Sequence, residues 1–392
     1  MSRRKVLWLV SWYPNKLMPF NGDFIKRHAE AVSLYEEVQV IYVVRDLEGH
    51  VTKDILPEES IKGGLAEKII YYYIPSSGLS IVDKYLSEKK YRKLYKKAIS
   101  DYIKKTGMPD LVHVHVGMKA GAIARWLKNA KGVSYVISEH WTGILQEANE
   151  KVSDQPFYIR SLWKKVMKDA SGLSAVSEYL AQAVKKQFTL NYQICIIPNV
   201  ADTSIFYPAA NSQNIPRFIH ISGLDEFKNP VSIIKAFAIV KNLYPLANLD
   251  IFGPEIKHLT ELARTMQSEK NVHFHKEVPQ PQLAEFIRQS LALILYSSYE
   301  TFGCVIIEAN ACGVPVIVSD IPVFHETVEE GVNGTFAKVN DPIALAERMI
   351  EMIKNRSSFD GNTIATKASL GYSYAIVGKQ FSDWYSEILL KT

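Results

Sequence analysis

The stretch Ser297-Ser298-Tyr299-Glu300-Thr301-Phe302-Gly303-Cys304-Val305-Ile306-Ile307-Glu308 places two glutamates on either side of a glycine turn, directly after the apolar run 291–296. The run is short enough for a buried strand, Gly303 supplies a tight turn, and 304–312 continues as a helix. Strand, loop and helix in that order leave backbone N–H groups at the helix start, around Phe302, Gly303, Cys304 and Val305. The helix dipole adds roughly half a positive charge there, so a diphosphate can be held without a P-loop. Glu308, one or two turns into the helix, offers two acceptor oxygens that match the paired donors of a ribose 2′,3′-diol. Glu300 stays in the loop, nearer a reacting sugar.

Further motifs follow in a fixed order: Ala311-Cys312-Gly313-Val314-Pro315-Val316-Ile317, then Glu326, then Gly331-Val332-Asn333-Gly334. With the paired glutamates, this series resembles the retaining glycosyltransferases of the GT-B fold usually called family 4. Fainter echoes carry the resemblance over nearly the whole chain: Asn21-Gly22-Asp23-Phe24, His113-Val114-His115, Glu139-His140-Trp141, Ser174-Ala175-Val176-Ser177 and Ile197-Pro198-Asn199-Val200-Ala201-Asp202. The resemblance implies an α/β, GT-B architecture, two Rossmann-like parallel-sheet domains facing an interdomain cleft.

Length and periodicity agree with two domains. At roughly 150 residues per domain, 392 residues allow two, and a hydrophobic content of 47% fills two cores. Strand character falls at 5–11, 38–44, 69–74, 111–115 and 135–138, with the amphipathic segment 24–34 after the first. The pattern restarts at 218–222 and continues at 247–252, 272–275, 291–296 and 315–318, alternating with helical stretches such as 230–242 and 281–290. Alternation of this kind predicts parallel sheets with ligands at the carboxyl ends of strands. The expected division is an acceptor-side domain at 1–203 and a nucleotide-sugar-binding domain at 216–373, joined through the polar, Pro-containing linker 201–215. The last helix, 374–392, with Phe381, Trp384, Tyr385 and Ile388 spaced for one face, would cross back to the first domain as in the resembling family.

The start, Met1-Ser2-Arg3-Arg4 and then an apolar run, mimics a signal peptide. Trp12-Tyr13-Pro14-Asn15 interrupts it without a small-residue cleavage site, so it reads as a first strand. No run approaches the ~18 apolar residues of a membrane span. Three cysteines, Cys195, Cys304 and Cys312, are too few and odd in number for a disulfide framework. The chain is therefore expected in the cytoplasm. The net charge of +5 is unevenly placed, with nine lysines and arginines from Lys84 to Lys105 interleaved with Tyr and Leu. That segment predicts a basic helix, which either rests on the anionic inner leaflet of a membrane or packs on its own sheet with a solvated outer face. No recognition motif accompanies it, so a nucleic-acid partner is not expected.

Four further residues complete the candidate site. The segment Ile221-Ser222-Gly223-Leu224-Asp225-Glu226-Phe227-Lys228 aligns with the family's basic pair near the start of the second domain. Lys228 fits the lysine, whereas Leu224 stands where the arginine is usual, and the stretch looks shortened; Lys276 is an alternative cation for the diphosphate. The resemblance places His140 against the donor sugar, and Gly22 where backbone approaches phosphate or sugar. Trp141 is a candidate to stack on a sugar face. His113 and His115 alternate on one strand, a spacing that can bind metal, but no third or fourth ligand appears at a matching interval. No Asp-x-Asp occurs. The expectation is a site without metal or cofactor, the nucleoside diphosphate sugar being a substrate.

The implied reaction moves a hexosyl group from a UDP- or GDP-sugar to a hydroxyl of a glycan or lipid-linked acceptor, in surface polysaccharide synthesis, with retention implied by the family alone. Glu300, His140 and Lys228 would act at the reacting centre, and Glu308 would hold the ribose. Rival readings are a nucleotide-sugar-binding partner subunit without turnover and an epimerase of the same fold. A glycoside hydrolase, which needs two carboxylates about 5–10 Å apart across one bond, fits less well because Glu308 looks committed to ribose.

Overall fold

A strand covered on both faces reads as a continuous apolar run, and β1 (Lys5–Val10) is such a strand, with Val6 to Val10 all fully buried. The computed structural model describes residues 3–209 and 215–391. By its contacts the chain resolves into two units, Met1–Asn199 with Tyr374–Thr392, and Val200–Ser373.

In unit 1, β1 is followed by α1 (Asp23–Ser33), β2 (Glu37–Asp46), β3 (Ile55–Lys62), β4 (Leu65–Tyr73) and α2 (Ser80–Thr106). Then come β5 (Leu111–His115), α3 (Lys119–Lys131), β6 (Tyr135–Glu139), α4 (Phe157–Asp169), β7 (Gly172–Ala175), α5 (Glu178–Phe188) and β8 (Cys195–Ile196). The strands form one sheet in the order β3-β4-β2-β1-β5-β6-β7-β8. All neighbours run parallel except β3 and β4. That antiparallel edge departs from the all-parallel expectation. Pro57 and the charged Glu58 and Glu59 suit β3 to an edge, where one side of the ladder stays unpaired. Ser177 caps α5 by accepting from the Leu180 N–H at 3.1 Å.

Unit 2 contains β9 (Arg217–Ile221), α6 (Pro230–Leu243), β10 (Asn248–Phe252), α7 (Lys257–Thr265), β11 (Val272–His275) and α8 (Gln280–Arg288). It continues with β12 (Ala292–Leu295), α9 (Cys304–Ala311), β13 (Val316–Ser319), β14 (Gly334–Ala337), α10 (Pro342–Lys354) and α11 (Gly361–Tyr372). Its sheet is wholly parallel, in the order β11-β10-β9-β12-β13-β14. Phe218, Ile234, Phe237, Leu249, Ile294 and Met349 lie at the centre of its core. Of the expected linker, residues 210–214 lie outside the described residues, and the part before them packs onto unit 2. Phe206 is fully buried, and Arg288 donates to the Ile205 carbonyl at 3.0 Å.

The last helix, α12 (Tyr374–Lys391), belongs to unit 1. Phe381, Trp384, Tyr385 and Ile388 are buried there, and the Arg4 guanidinium donates to Ser386 Oγ at 2.6 Å and to the Ser382 carbonyl at 2.8 Å. Among the described residues no helix is long and apolar enough to cross a membrane. In α2, Tyr91, Leu94, Tyr95, Ala98 and Ile99 are buried, so its apolar face packs on the sheet of its own unit.

Candidate active site

Both sheets have a point where chain order reverses, and in open α/β sheets ligands bind outside the carboxyl ends of the strands there. In unit 2 that point lies between β9 and β12. The loop after β9 carries Lys228 and the loop after β12 carries Glu300. The two side chains form a buried ion pair, Lys228 Nζ to Glu300 Oε1, and Ser297 Oγ donates to the same oxygen at 3.2 Å. The loops are laced by further contacts. The Ser298 N–H donates to the Phe227 carbonyl at 2.7 Å, and Asn229 Nδ2 donates to the Tyr296 carbonyl at 3.1 Å. The rings of Phe227 and Tyr299 stack at 4.6 Å. An ammonium has three donors, of which Glu300 takes one.

Directly beyond Glu300, α9 begins at Cys304 with Gly303 as its cap, in the left-handed region at φ 88°, and no side chain caps the helix. A Cβ at Gly303 would come within 3.0 Å of Ile306 and Leu295 and 3.1 Å of Phe324, so both backbone and space require glycine. Gly303, Cys304 and Val305 are half-buried, whereas Ile306 to Ala311 are buried; the helix therefore presents its amino end. Phe302 is buried edge-on to Tyr372, and Glu308 is buried within α9. The structure thus brings Glu300, Phe302, Gly303, Cys304, Val305 and Lys228 to one reversal point, with Glu308 behind them on the same helix.

His220, which the sequence reading passed over, supports this arrangement. Its Nδ1 lies 2.8 Å from the Ile294 carbonyl and must donate to it, so Nε2 accepts from Ser222 Oγ at 2.7 Å, and that oxygen accepts the Leu224 N–H at 3.0 Å. Burial, with the nearby Lys228 charge adding to it, pushes the imidazole down to about 4, so it stays neutral. The available signal was a histidine set between Ile219 and Ile221 inside the expected strand.

Leu224 is buried with φ 58°, strained for a branched side chain, and leaves no cation where the resemblance expects one. Lys276 is exposed in the loop after β11, which is three strands from β12, roughly 14 Å away at the usual strand spacing. It lines a different feature, a cavity of about 570 Å³ shared with Leu224, Gly253, Glu255 and His275. His275 is held there by Asp250 at 2.7 Å, which Arg217 also contacts at 2.9 Å.

In unit 1 the reversal point lies between β1 and β5. His140, just past β6, is buried, with Nε2 3.3 Å from His115 Nδ1, and its ring stacks on that of His115 at 5.5 Å. His28 of α1 completes the group; one ring nitrogen from each of the three lies within 4.8 Å of the others. His115 thus has two histidine neighbours that no interval in the sequence announces, and His113 is not one of them. The partners come from α1 and from the loop after β6, at no regular interval, while His113 turns away to Tyr385 Oη at 2.6 Å and Ser138 Oγ at 2.7 Å. Burial pushes His28 down to about 3 and His115 and His140 well below the ordinary histidine range. Glu139 beside them accepts from the Gly117 N–H at 2.6 Å, yet burial pushes its carboxyl up to about 7.

Gly22 caps α1 at φ 71°, and a Cβ there would meet the Trp12 and Tyr13 backbone at 2.7 and 2.8 Å. The chain's own turn therefore requires this glycine. Trp141 meets Trp163 edge-on at 5.8 Å. The three cysteines are free thiols, and burial pushes Cys312 up to about 12, which leaves it inert at neutral pH.

Comparison with known proteins matches both units. The family described as glycosyl transferases group 1 matches residues 206–366, and the glycosyl transferase 4-like domain matches residues 95–200. Among curated relatives, N-acetyl-alpha-D-glucosaminyl L-malate synthase of Bacillus anthracis is 26% identical over 63% of this chain and 66% of its own length. The match thus spans about two thirds of that relative. Among solved structures, sucrose-phosphate synthase from Thermosynechococcus elongatus aligns with a TM-score of 0.78 at 17% identity, over 99% of this chain and 100% of its own. Anabaena Alr3699/HepE, solved in complex with UDP and glucose, aligns at 0.73 and 15%, over 98% and 100%. These two likenesses concern the fold. With both units matched and the paired glutamates, glycine cap and lysine gathered at one reversal point, the chain belongs to the group 1 glycosyl transferases, the family-4-like glycosyltransferases of the GT-B fold.

Proposed function

We propose that the chain transfers a hexosyl group from a UDP- or GDP-sugar to a hydroxyl of a glycan or lipid-linked acceptor, with retention of configuration, in surface polysaccharide synthesis at the cytoplasmic face of a membrane. The observation that carries this reading is the pairing of Lys228 with Glu300 beside the open amino end of α9. In it, the α9 N–H groups and Lys228 stabilise the departing diphosphate, Glu308 takes the ribose diol, and Glu300 orients the sugar. Unit 2 holds the donor, and unit 1, with His140, serves the acceptor. The bond from the anomeric carbon to the diphosphate oxygen breaks as that from the acceptor oxygen forms. The acceptor's proton passes to the leaving phosphate, so no protein nucleophile is needed. The HepE structure, which holds UDP and glucose, supports a nucleotide sugar as donor.

The reaction is proposed to need no metal, since the chain lacks the Asp-x-Asp carboxylates that usually hold one. Transfer should then survive a chelator; loss restored by a divalent ion would reject this and turn attention to His28, His115 and His140. Leu224 in place of a cation favours a second reading, binding without turnover. Thermal unfolding against a panel of nucleoside diphosphates and their sugars tests the first step, because a ligand of the folded state raises Tm. One nucleotide should raise Tm, and Glu308→Ala should abolish the shift; no shift with any of them rejects the donor site. A shift with no transfer to any acceptor would support the second reading.

A further inference from the structure

The outward side of α2 changes character along its length. At its start the chain exposes Leu79, Ile81, Val82, Tyr85 and Leu86, with Ile81 84% accessible. The following turns expose Lys89, Arg92, Lys93, Lys96 and Lys97. An apolar cluster at one tip is unlike scattered surface leucines and marks an interaction site. The acidic side chains nearby are engaged locally. Asp83 accepts from Ser76 Oγ at 2.9 Å and the Ser77 N–H at 2.8 Å, and Glu88 accepts from Arg92 Nε at 2.7 Å. The tip follows the carboxyl end of β4. Because β1, β2 and β4 are parallel neighbours, the loop after β1 lies at the same end of the sheet, with Met18 and Phe20 each 48% exposed. Lys16 N–H donates to Tyr71 Oη at 2.9 Å and ties that loop to β4.

We propose that this end of unit 1 docks on an anionic lipid bilayer, with Ile81, Val82, Tyr85 and Leu86 entering the boundary between headgroups and acyl chains and Lys84, Lys89, Lys93 and Lys97 meeting lipid phosphates. The middle of α2 cannot lie in the membrane as an amphipathic helix does, because its apolar face is covered by its own sheet; the tip alone inserts. Lysines suit this partner better than a protein one, since they are depleted in protein interfaces and can keep their charge in the headgroup layer while their stems lie on apolar surface. A nucleic acid would match the lysines and leave Ile81, Val82 and Leu86 without a role. The surface deepens the membrane location proposed above but does not depend on the transfer chemistry, so docking and transfer can fail separately.

The experiment is cosedimentation of the whole protein with vesicles of phosphatidylcholine alone, and of phosphatidylcholine mixed with phosphatidylglycerol, at low and high salt. Partition into the anionic vesicles should exceed that into neutral ones at least ~10-fold and fall with salt. The Ile81→Ser/Leu86→Ser variant should lose roughly tenfold or more of that partition, and Lys89→Glu/Lys93→Glu at least ~5-fold. Unchanged melting and nucleotide shifts would show that these variants remain folded. Equal binding to both vesicle types, no vesicle binding, or a serine variant that binds like the wild type would overturn the proposal. So would binding to RNA or DNA in place of vesicles.

Discussion

Lys228 and Glu300 neutralise each other inside unit 2, and a buried pair of this kind leaves an uncompensated charge when one partner is removed. Glu300→Ala and Lys228→Ala should each lower kcat by ~10²–10³, the usual loss for one preorganised group at a reacting centre. Because each change also disables the other partner, the double variant should lose little more than either single one. Turnover of the four proteins in a cycle checks this; multiplicative losses would mean that the two residues act independently. Gly303 tests the loop itself. Gly303→Ala should cost ~1–3 kcal/mol of unit 2 stability through its φ of 88° and the contacts at Ile306 and Leu295, read as a lower urea midpoint. A variant as stable as the wild type would show that the turn relaxes freely.

At the level of elements, α12 is as much part of unit 1 as its strands are. Phe381 is fully buried, with its ring 5.1 Å from that of His28 and 5.5 Å from that of His113. Phe381→Ala should therefore destabilise unit 1 by ~3–5 kcal/mol and leave the nucleotide binding proposed for unit 2 intact. Calorimetry with and without nucleotide separates the two outcomes, and a loss confined to unit 2 would contradict the assignment. Elements of this kind were unevenly legible. The expected strands at 111–115 and 272–275 match β5 and β11 residue for residue: β5 is buried throughout, and β11, an edge strand, is buried at Val272 and half-buried beyond it, each short run lying between polar breaks. The edge strand β3 was not legible, since Leu56-Pro57-Glu58-Glu59-Ser60 is largely exposed and its order comes from pairing with β4. Within the site, Glu300, Gly303 and Glu308 are adjacent in sequence and could be read together. His28, His115 and His140 come from three elements, and nothing local to any one of them points to the others.

At the scale of the molecule, acid should act on the two units unequally. Burial holds His28 at about 3 and His220 at about 4, with His113, His115 and His140 well below 6.5. Below about pH 6.5 the unfolded chain therefore takes up protons that the folded chain refuses, so stability is full above that pH and falls as pH drops. Glu139 opposes this: raised to about 7, it binds a proton in the folded state over the window from about 7 down to 4.5, but it is one group against five. Each net proton is worth ~1.4 kcal/mol per pH unit. Four of the five histidines belong to unit 1, so between pH 7.5 and 5 its calorimetric transition should move down well before that of unit 2. Transitions that fall in parallel, or do not fall at all, would contradict this account.

The return of α12 to unit 1 also sets an order of events during synthesis. Phe381, Trp384 and Tyr385 leave the ribosome only after the whole of unit 2 has been made. At about 5–20 residues per second, the amino-terminal half waits on the order of ten to thirty seconds with the apolar groove for its last helix unfilled. The nascent chain is thus a natural client for chaperones. A premature stop between Ser373 and Phe381 would leave a finished carboxyl-terminal unit joined to an amino-terminal one whose groove is never filled.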